Sequence, residues 1–324
     1  MTTFDLAAQS DSLFAANRPA EAFALIGRHA ASGDAAALYL QALHVMSGDF
    51  VQRDVARARD ILHRAVVAGH PDALMLEIAL TANGSGAPAD WQAARRLLDQ
   101  ATDRIPAARE QLALLNAMAI DDEGRPLSLP AAEMLSDAPD VRRFRNLLSP
   151  EECAHLAMAA RDMLAPATVV DPRTGRMIVH PIRTSDGAVI GPGRENLVIR
   201  AINQRLAVIS DTLVTQGEPL SILRYSPGQE YRPHLDWIGD AKNQRTKTVI
   251  VYLNHGYKGG ETRFISASLT VEPQGGDAIL FSNILPDGSV DRRSDHAGLP
   301  VRQGAKWIAT RWIRERAHDP WHDR

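Results

Sequence analysis

His234-Leu235-Asp236 places an imidazole and a carboxylate two residues apart. On an extended strand, positions i and i+2 share one face, so both groups could reach one metal ion. A third ligand must come from elsewhere in the chain, and His296 is the best candidate. Two imidazoles and one carboxylate on one face of an iron leave positions open for a chelating cosubstrate and O2. The spacing alone is weak. With 11 His and 26 Asp in 324 residues, roughly one such pair arises by chance. A second pair does occur, His70-Pro71-Asp72, and it reads as a structural turn between helices. Context separates the two.

The context of His234 is Arg224-Tyr225, Tyr231-Arg-Pro-His234-Leu-Asp236, Thr248-Val-Ile-Val-Tyr252-Leu-Asn254 and Gly259-Gly-Glu-Thr262, followed by Asp295-His296-Ala-Gly298 and Gly304-Ala-Lys306-Trp307. This order and spacing resemble the catalytic domain of the prolyl 4-hydroxylase alpha-subunit family. The resemblance runs from about Asp140, through Phe144-Arg-Asn-Leu-Leu-Ser-Pro-Glu-Glu-Cys153, to about Arg316. It implies a Fe(II)- and 2-oxoglutarate-dependent dioxygenase on a double-stranded β-helix, or jelly-roll, core. The implied reaction hydroxylates a peptidyl residue, proline first, with succinate and CO2 as co-products; the alternatives are hydroxylation of another side chain or a small molecule, and a repeat-based adaptor whose 2-oxoglutarate-binding domain is not catalytic. L-ascorbate is commonly used in the family to rescue oxidised iron.

Carried over residue by residue, His234, Asp236 and His296 match the iron ligands, and Lys306 matches the base that pairs with the far carboxylate of 2-oxoglutarate. Strand alternation supports that role independently. Lys306, Ile308, Thr310 and Trp312 share one face, and a lysine lining a barrel is costly without an anionic partner. Tyr225 and Tyr252 match residues around the cosubstrate, and Thr248 shares a strand face with Tyr252. Tyr231, Arg245 and Trp312 match the peptide-binding side, where an aromatic patch suits an extended proline-containing segment. Arg314 stands where one plant-type member of the family carries a histidine. The loops 172–196 and 239–245 are rich in Gly, Arg and Asp and are candidate lids.

These residues need strands to hold them, and the C-terminal half supplies the pattern. Short apolar runs separated by turn residues predict strands at Ser221–Tyr225, Thr246–Asn254, Glu261–Phe264, Leu269–Glu272, Ala278–Phe281 and Lys306–Ile313. A helix is predicted after Ser149, with Pro150 at its first position and Glu152 at capping-box distance. The N-terminal half is different. Residues 1 to 120 hold 30 alanines, and Asp54-Val-Ala-Arg-Ala58 aligns with Asp90-Trp-Gln-Ala-Ala94 at an offset of 36. Gly48 and Gly84 share that offset, as do Gly33-Asp34 and Gly69-His70. A period in the mid-thirties signals stacked helical hairpins, and this one resembles Sel1-like repeats, relatives of the tetratricopeptide family. The expected fold is therefore α+β and multidomain: an α-helical repeat domain over 1–120, a linker over 121–136, and a dioxygenase jelly roll over 137–324. The repeats are expected to recruit a protein client or to serve only as packing for the catalytic half.

Composition removes other classes. The net charge is −3, from 36 basic and 39 acidic residues, so nothing argues for wrapping nucleic acid or coating an anionic membrane. A lone cysteine, Cys153, can build neither a disulfide scaffold nor a thiolate zinc site. The N-terminus lacks the basic and apolar regions of a signal peptide, and no apolar run approaches the roughly 20 residues of a membrane span. The expectation is a cytoplasmic enzyme.

Overall fold

The computed structural model describes residues 5–170, 177–179, 182–272 and 274–322. Among them seven helices come first: α1 (Leu6–Ala15), α2 (Pro19–Ala31), α3 (Ala35–Ser47), α4 (Val55–Val67), α5 (Pro71–Asn83), α6 (Trp91–Ala101) and α7 (Pro106–Ala117). Each packs on the next. The 36-residue repeat is a repeat of helix ends. Asp54 and Asp90 are the N-caps of α4 and α6, accepting from the backbone N–H of Arg57 and Ala93. Gly48 and Gly84 close α3 and α5 in the left-handed conformation that favours glycine. Between the caps, Ala58, Ile61, Leu62 and Ala65 form the buried stripe of α4. Small alanines in such stripes let neighbouring helices approach closely.

The remaining helices are α8 (Pro150–Ala160) and α9 (Leu197–Ile209). Helix α8 starts where the sequence predicts: Ser149 and Glu152 form a full capping box. Glu152 also takes a bidentate ion pair from the buried Arg205 of α9 at 2.8 Å.

The strands are β1 (Ala132–Asp137), β2 (Asp140–Phe144), β3 (Ala165–Pro166), β4 (Thr168–Val170), β5 (Met177–Val179), β6 (Asp186–Ile190), β7 (Leu220–Tyr225), β8 (Tyr231–His234), β9 (Arg245–Tyr252), β10 (Lys258–Gly259), β11 (Thr262–Phe264), β12 (Leu269–Val271), β13 (Ala278–Ser282), β14 (His296–Gly298), β15 (Val301–Gln303) and β16 (Lys306–Arg314). The larger sheet has the order β1-β2-β13-β9-β16-β7-β6-β3, and a four-stranded sheet has the order β12-β11-β14-β8. Both contribute to one core. Phe264 and Val271 of the small sheet pack with Tyr252, Phe281 and Ile308 of the large one, all buried. That is the two-sheet jelly roll the short-strand pattern implies.

By compactness the chain divides into Met1–Met118 with Pro192–Arg200, and Ala119–Gly191 with Ala201–Arg324. Two sequence boundaries change accordingly. The last part of the segment read as a linker forms β1, because its backbone finds a ladder on β2, from Ala132 opposite Phe144 to Asp137 opposite Asp140, with one irregularity between Met134 and Ser136. Ladder pairing outweighs the local turn-rich composition. The segment Pro192–Arg200, assigned by sequence to the catalytic half, groups with the helices, where Asn83 Nδ2 donates to the Pro192 carbonyl at 2.8 Å. Of the loop 172–196, residues 172–176, 180 and 181 lie outside the described residues. The loop 239–245 is tied at several points. The Gln244 amide both donates to and accepts from the Ile238 backbone, and Asn243 Oδ1 accepts from Arg316 N–H.

Candidate active site

His296 on β14 lies directly opposite His234 at the end of β8. Antiparallel partners on one face bring their side chains within contact, and here the ring centroids are 4.3 Å apart. Asp236 follows two residues after His234, but β8 ends at His234 and Asp236 sits in the bend beyond it. The sequence expectation of one uninterrupted strand therefore gives way to a strand end, yet the carboxylate still converges on the imidazoles. Its Oδ1 is 3.7 Å from His234 Nε2 and its Oδ2 3.8 Å from His296 Nε2. The three potential ligand atoms lie within 4.8 Å of one another, the only such metal-ligating group among the described residues.

The ring orientations suit a cation. His234 Nδ1 is 2.8 Å from the Arg232 carbonyl, and His296 Nδ1 is 3.0 Å from the Ser294 carbonyl. A carbonyl only accepts, so each Nδ1 carries the proton and each Nε2 presents a lone pair to the shared point. Burial holds His234 neutral, lowering its pKa to about 4, and the neighbouring His296 adds to the effect. Burial works to raise the Asp236 pKa, but the two imidazoles and a hydrogen bond from Thr248 outweigh it and keep the group below the usual range. A neutral imidazole at His234 and an anion at Asp236 are protonation states that suit a divalent metal.

Thr248, expected beside the cosubstrate, has its hydroxyl directed elsewhere. It donates to Asp236 Oδ2 at 2.7 Å and accepts from Asn283 Nδ2 at 3.0 Å. Thr248 is on β9, its side chain fully buried, and both hydrogen bonds serve to orient the carboxylate. Asn283 carried no signal of its own in the sequence.

Lys306 opens β16 and is 3% exposed. Its ammonium donates to the Gly260 carbonyl at 2.6 Å and lies 5.5 Å from the Tyr225 ring and 5.4 Å from the Tyr252 ring. No carboxylate reaches it within ion-pair distance among the described residues; Glu261, the acid that acts on it electrostatically, pairs with Arg302 at 3.1 Å. Burial pushes the Lys306 pKa down to about 8. A buried cation bonded only to a neutral carbonyl is the mark of a site for an anion. Gly260 is required for this packing: at φ +70 a Cβ there would stand 3.0 Å from Lys306 Cδ.

The cavity that contains the His-Asp-His cluster is also lined by Lys306, Tyr225, Thr262, Tyr231 and Trp312. Tyr252 lies behind this wall, fully buried, with its hydroxyl 2.7 Å from Thr262 Oγ1. Thr262 is thus a lining residue, one that nothing in Gly259-Gly-Glu-Thr262 marks by residue type alone. Burial raises the pKa of both Tyr225 and Tyr252, so both stay neutral hydrogen-bonding phenols. On the outer side, the Tyr231 ring stacks on His234 with centroids 3.5 Å apart. Arg245, expected to face a peptide, makes a bidentate pair with Glu218 at 2.6 and 2.7 Å and lies 4.0 Å over the Trp312 ring.

Residues 220–314 match the family model described as the 2OG-Fe(II) oxygenase superfamily. Prolyl 4-hydroxylase 1 of Arabidopsis thaliana is 38% identical over 204 residues, which cover 57% of this chain and 72% of that protein. The chain belongs to the prolyl 4-hydroxylase family of 2OG-Fe(II) oxygenases. Probable prolyl 4-hydroxylase 10 of the same plant is 35% identical over 206 residues, covering 56% of this chain and 71% of the relative. A solved viral collagen prolyl hydroxylase from Paramecium Bursaria Chlorella virus-1, in complex with 2OG, is 30% identical and covers 56% of this chain and 98% of its own, with a TM-score of 0.45. As a member of this family the protein is a 2-oxoglutarate-dependent dioxygenase with Fe(II), 2-oxoglutarate and O2 as its cofactor and cosubstrates. No helix among the described residues is long and apolar enough to cross a membrane.

Proposed function

We propose that this prolyl-hydroxylase-like enzyme hydroxylates a prolyl residue within a peptide or protein. The observation that carries the reading is the shared cavity: Tyr231 and Trp312 line the same space as the His-Asp-His cluster and Lys306. In this reading His234, Asp236 and His296 hold Fe(II), and Lys306, flanked by the Tyr225 and Tyr252 rings, fixes the far carboxylate of 2-oxoglutarate. Iron with 2-oxoglutarate and O2 supplies the oxidising power, with succinate and CO2 as co-products. The chain's own part is positioning. Thr248 and Asn283 hold the Asp236 carboxylate, and the two backbone carbonyls hold the imidazole tautomers. Tyr225 and Ile308 keep the inner wall closed to water, since both are buried.

The peptide side has features of its own. Trp312 Nε1 is buried and has no acceptor among the described residues; a peptide carbonyl would supply one. Tyr231 and Trp312 offer aromatic surface to a proline ring and an extended backbone. The helical hairpins, which expose Phe50 stacked on Phe14, are the part we assign to client recruitment.

The test is mass spectrometry of proline-containing peptides after incubation with Fe(II), 2-oxoglutarate and O2. A gain of one oxygen atom on proline, absent with Asp236→Ala, is the expected result. Succinate produced without modification of any prolyl peptide, with the oxygen found on another side chain, would replace proline as the target.

A further inference from the structure

Lys306, Ile308, Thr310 and Trp312 of β16 line the cleft, and Arg314 continues the same alternation beyond it. Arg314 stands directly opposite Arg245 on β9. Two arginines paired across a ladder repel one another. A single carboxylate, Glu218, stands between them. Its Oε1 accepts from Arg245 Nε at 2.6 Å and lies 2.6 Å from Arg314 Nε, while Oε2 accepts from Arg245 Nη2 at 2.7 Å. The side chains of Arg245, Arg314 and Glu218 are 18%, 16% and 11% exposed. Two cations and one anion thus share a mostly desolvated place.

Beyond Glu218, Arg245 acts only at longer range on the Asp236 carboxylate, and the remaining contacts of the pair are to neutral groups. Arg314 Nη1 donates to the neutral carbonyl of Asn243. Among the described residues no second carboxylate pairs with either guanidinium, and Glu315, exposed beyond the strand end, forms no ion pair. Lys242 and Lys247 flank Arg245 in a segment without acids. Nor does the inner site need the charge. Fe(II), the Asp236 carboxylate, the Lys306 ammonium and a dicarboxylate sum to zero by themselves. A partly buried unmatched guanidinium is expensive unless an anion arrives to pair with it.

We infer that Arg245 and Arg314 form a subsite for an acidic side chain of the client, next to the Trp312 wall. This rests on the peptidyl-proline reading and narrows it: the preferred peptide carries Asp or Glu near the target proline. Arg314 lies two residues beyond Trp312 on one strand face, about 7 Å, which is the reach of two residues in an extended peptide. Glu218 is a positioning residue in this arrangement. It keeps Arg245 flat on Trp312 while leaving the pair one positive charge in excess.

The test uses fluorescein-labelled peptides with one proline in a neutral host, carrying Glu or its isostere Gln at each of the three positions on either side. Binding is read by fluorescence anisotropy to the full chain loaded with Fe(II) and 2-oxoglutarate, with oxygen excluded; oxygen is then admitted and the peptide mass is read. Glu at one or two positions is expected to tighten binding roughly tenfold over Gln, less so at high salt. Arg314→Gln is expected to bring that ratio near one, Arg314→Lys to keep part of it, and Arg314→Glu to favour Lys peptides. Equal binding of Glu and Gln peptides at every position overturns the subsite, even if proline is hydroxylated. A Glu preference that Arg314 variants remove, without any oxygen gained on proline, supports the subsite and overturns the prolyl reading beneath it. Failure to bind any of the peptides overturns both.

Discussion

His234 and His296 are cross-strand partners, and their imidazole centroids are 4.3 Å apart. The pairing of β8 with β14 brings together two histidines that are 62 positions apart in the chain. Their Nδ1 atoms are occupied by the carbonyls of Arg232 and Ser294, so the two Nε2 atoms and the Asp236 carboxylate face one point where they could hold a metal ion. A one-residue slip of either strand would turn one imidazole away.

Thr248 links that face to the large sheet, and its contribution can be isolated. Thr248→Val removes the hydrogen bond to Asp236 Oδ2 with little change in shape. Outer-shell partners of metal ligands are worth about 10- to 100-fold in metal affinity, and a loss of that size is expected in calorimetric titration with Fe(II) under anaerobic conditions. Thr248→Ser should recover most of it. Unchanged affinity in the valine variant would show that the hydroxyl does not hold the carboxylate for metal.

Lys306 gives a pH signature. Burial holds its pKa near 8, below the usual lysine value of 10.5. Between those two values the unfolded chain binds the proton that the folded chain has lost, so stability of the ligand-free protein should rise with pH across that window. A dicarboxylate needs the charged form. Affinity for 2-oxoglutarate should therefore be flat below pH 7 and weaken above about pH 8, approaching tenfold per unit. Lys306→Met should abolish that dependence and weaken binding at pH 7 by about 10- to 100-fold, as expected for losing a charge-assisted pair. Calorimetry across pH reads both effects, and a flat wild-type profile from pH 7 to 9.5 would contradict them.

The second His-x-Asp pair provides an internal control. His70 is the N-cap of α5, and its Nδ1 accepts from the Ala73 N–H at 3.3 Å. His70→Ala should lower the unfolding free energy by about 1 kcal/mol, as cap losses do, while leaving Fe(II) binding at wild-type strength. Weakened iron binding in this variant would mean the two pairs are not distinct in function.

That control also marks what the sequence made legible. One spacing, His-x-Asp, occurs twice, and the strand-rich neighbourhood with Gly259-Gly-Glu-Thr262 and Lys306 distinguishes the metal pair from the helix cap. The 36-residue offset was legible because it repeats caps, Asp54 with Asp90 and Gly48 with Gly84, and caps are set by local chemistry. Less legible were features made by register and long-range pairing. The strand break before Asp236 and the Thr248–Asp236 bond depend on which strands lie side by side. The same holds for Glu218 between Arg245 and Arg314, 27 residues from the first. Strand β1 was hidden for a similar reason: its partner β2, more than its own composition, makes it a strand.

We propose His234, Asp236 and His296 as the iron centre of a working 2-oxoglutarate dioxygenase. The direct measurement is succinate formation from 2-oxoglutarate by the purified full chain with Fe(II) and O2, in parallel with His296→Ala, both checked for folding by circular dichroism. Succinate that requires added iron and falls below about one part in a hundred in the folded variant is expected, because loss of a metal ligand removes the centre. Wild-type rates in a folded His296→Ala protein would contradict the assignment.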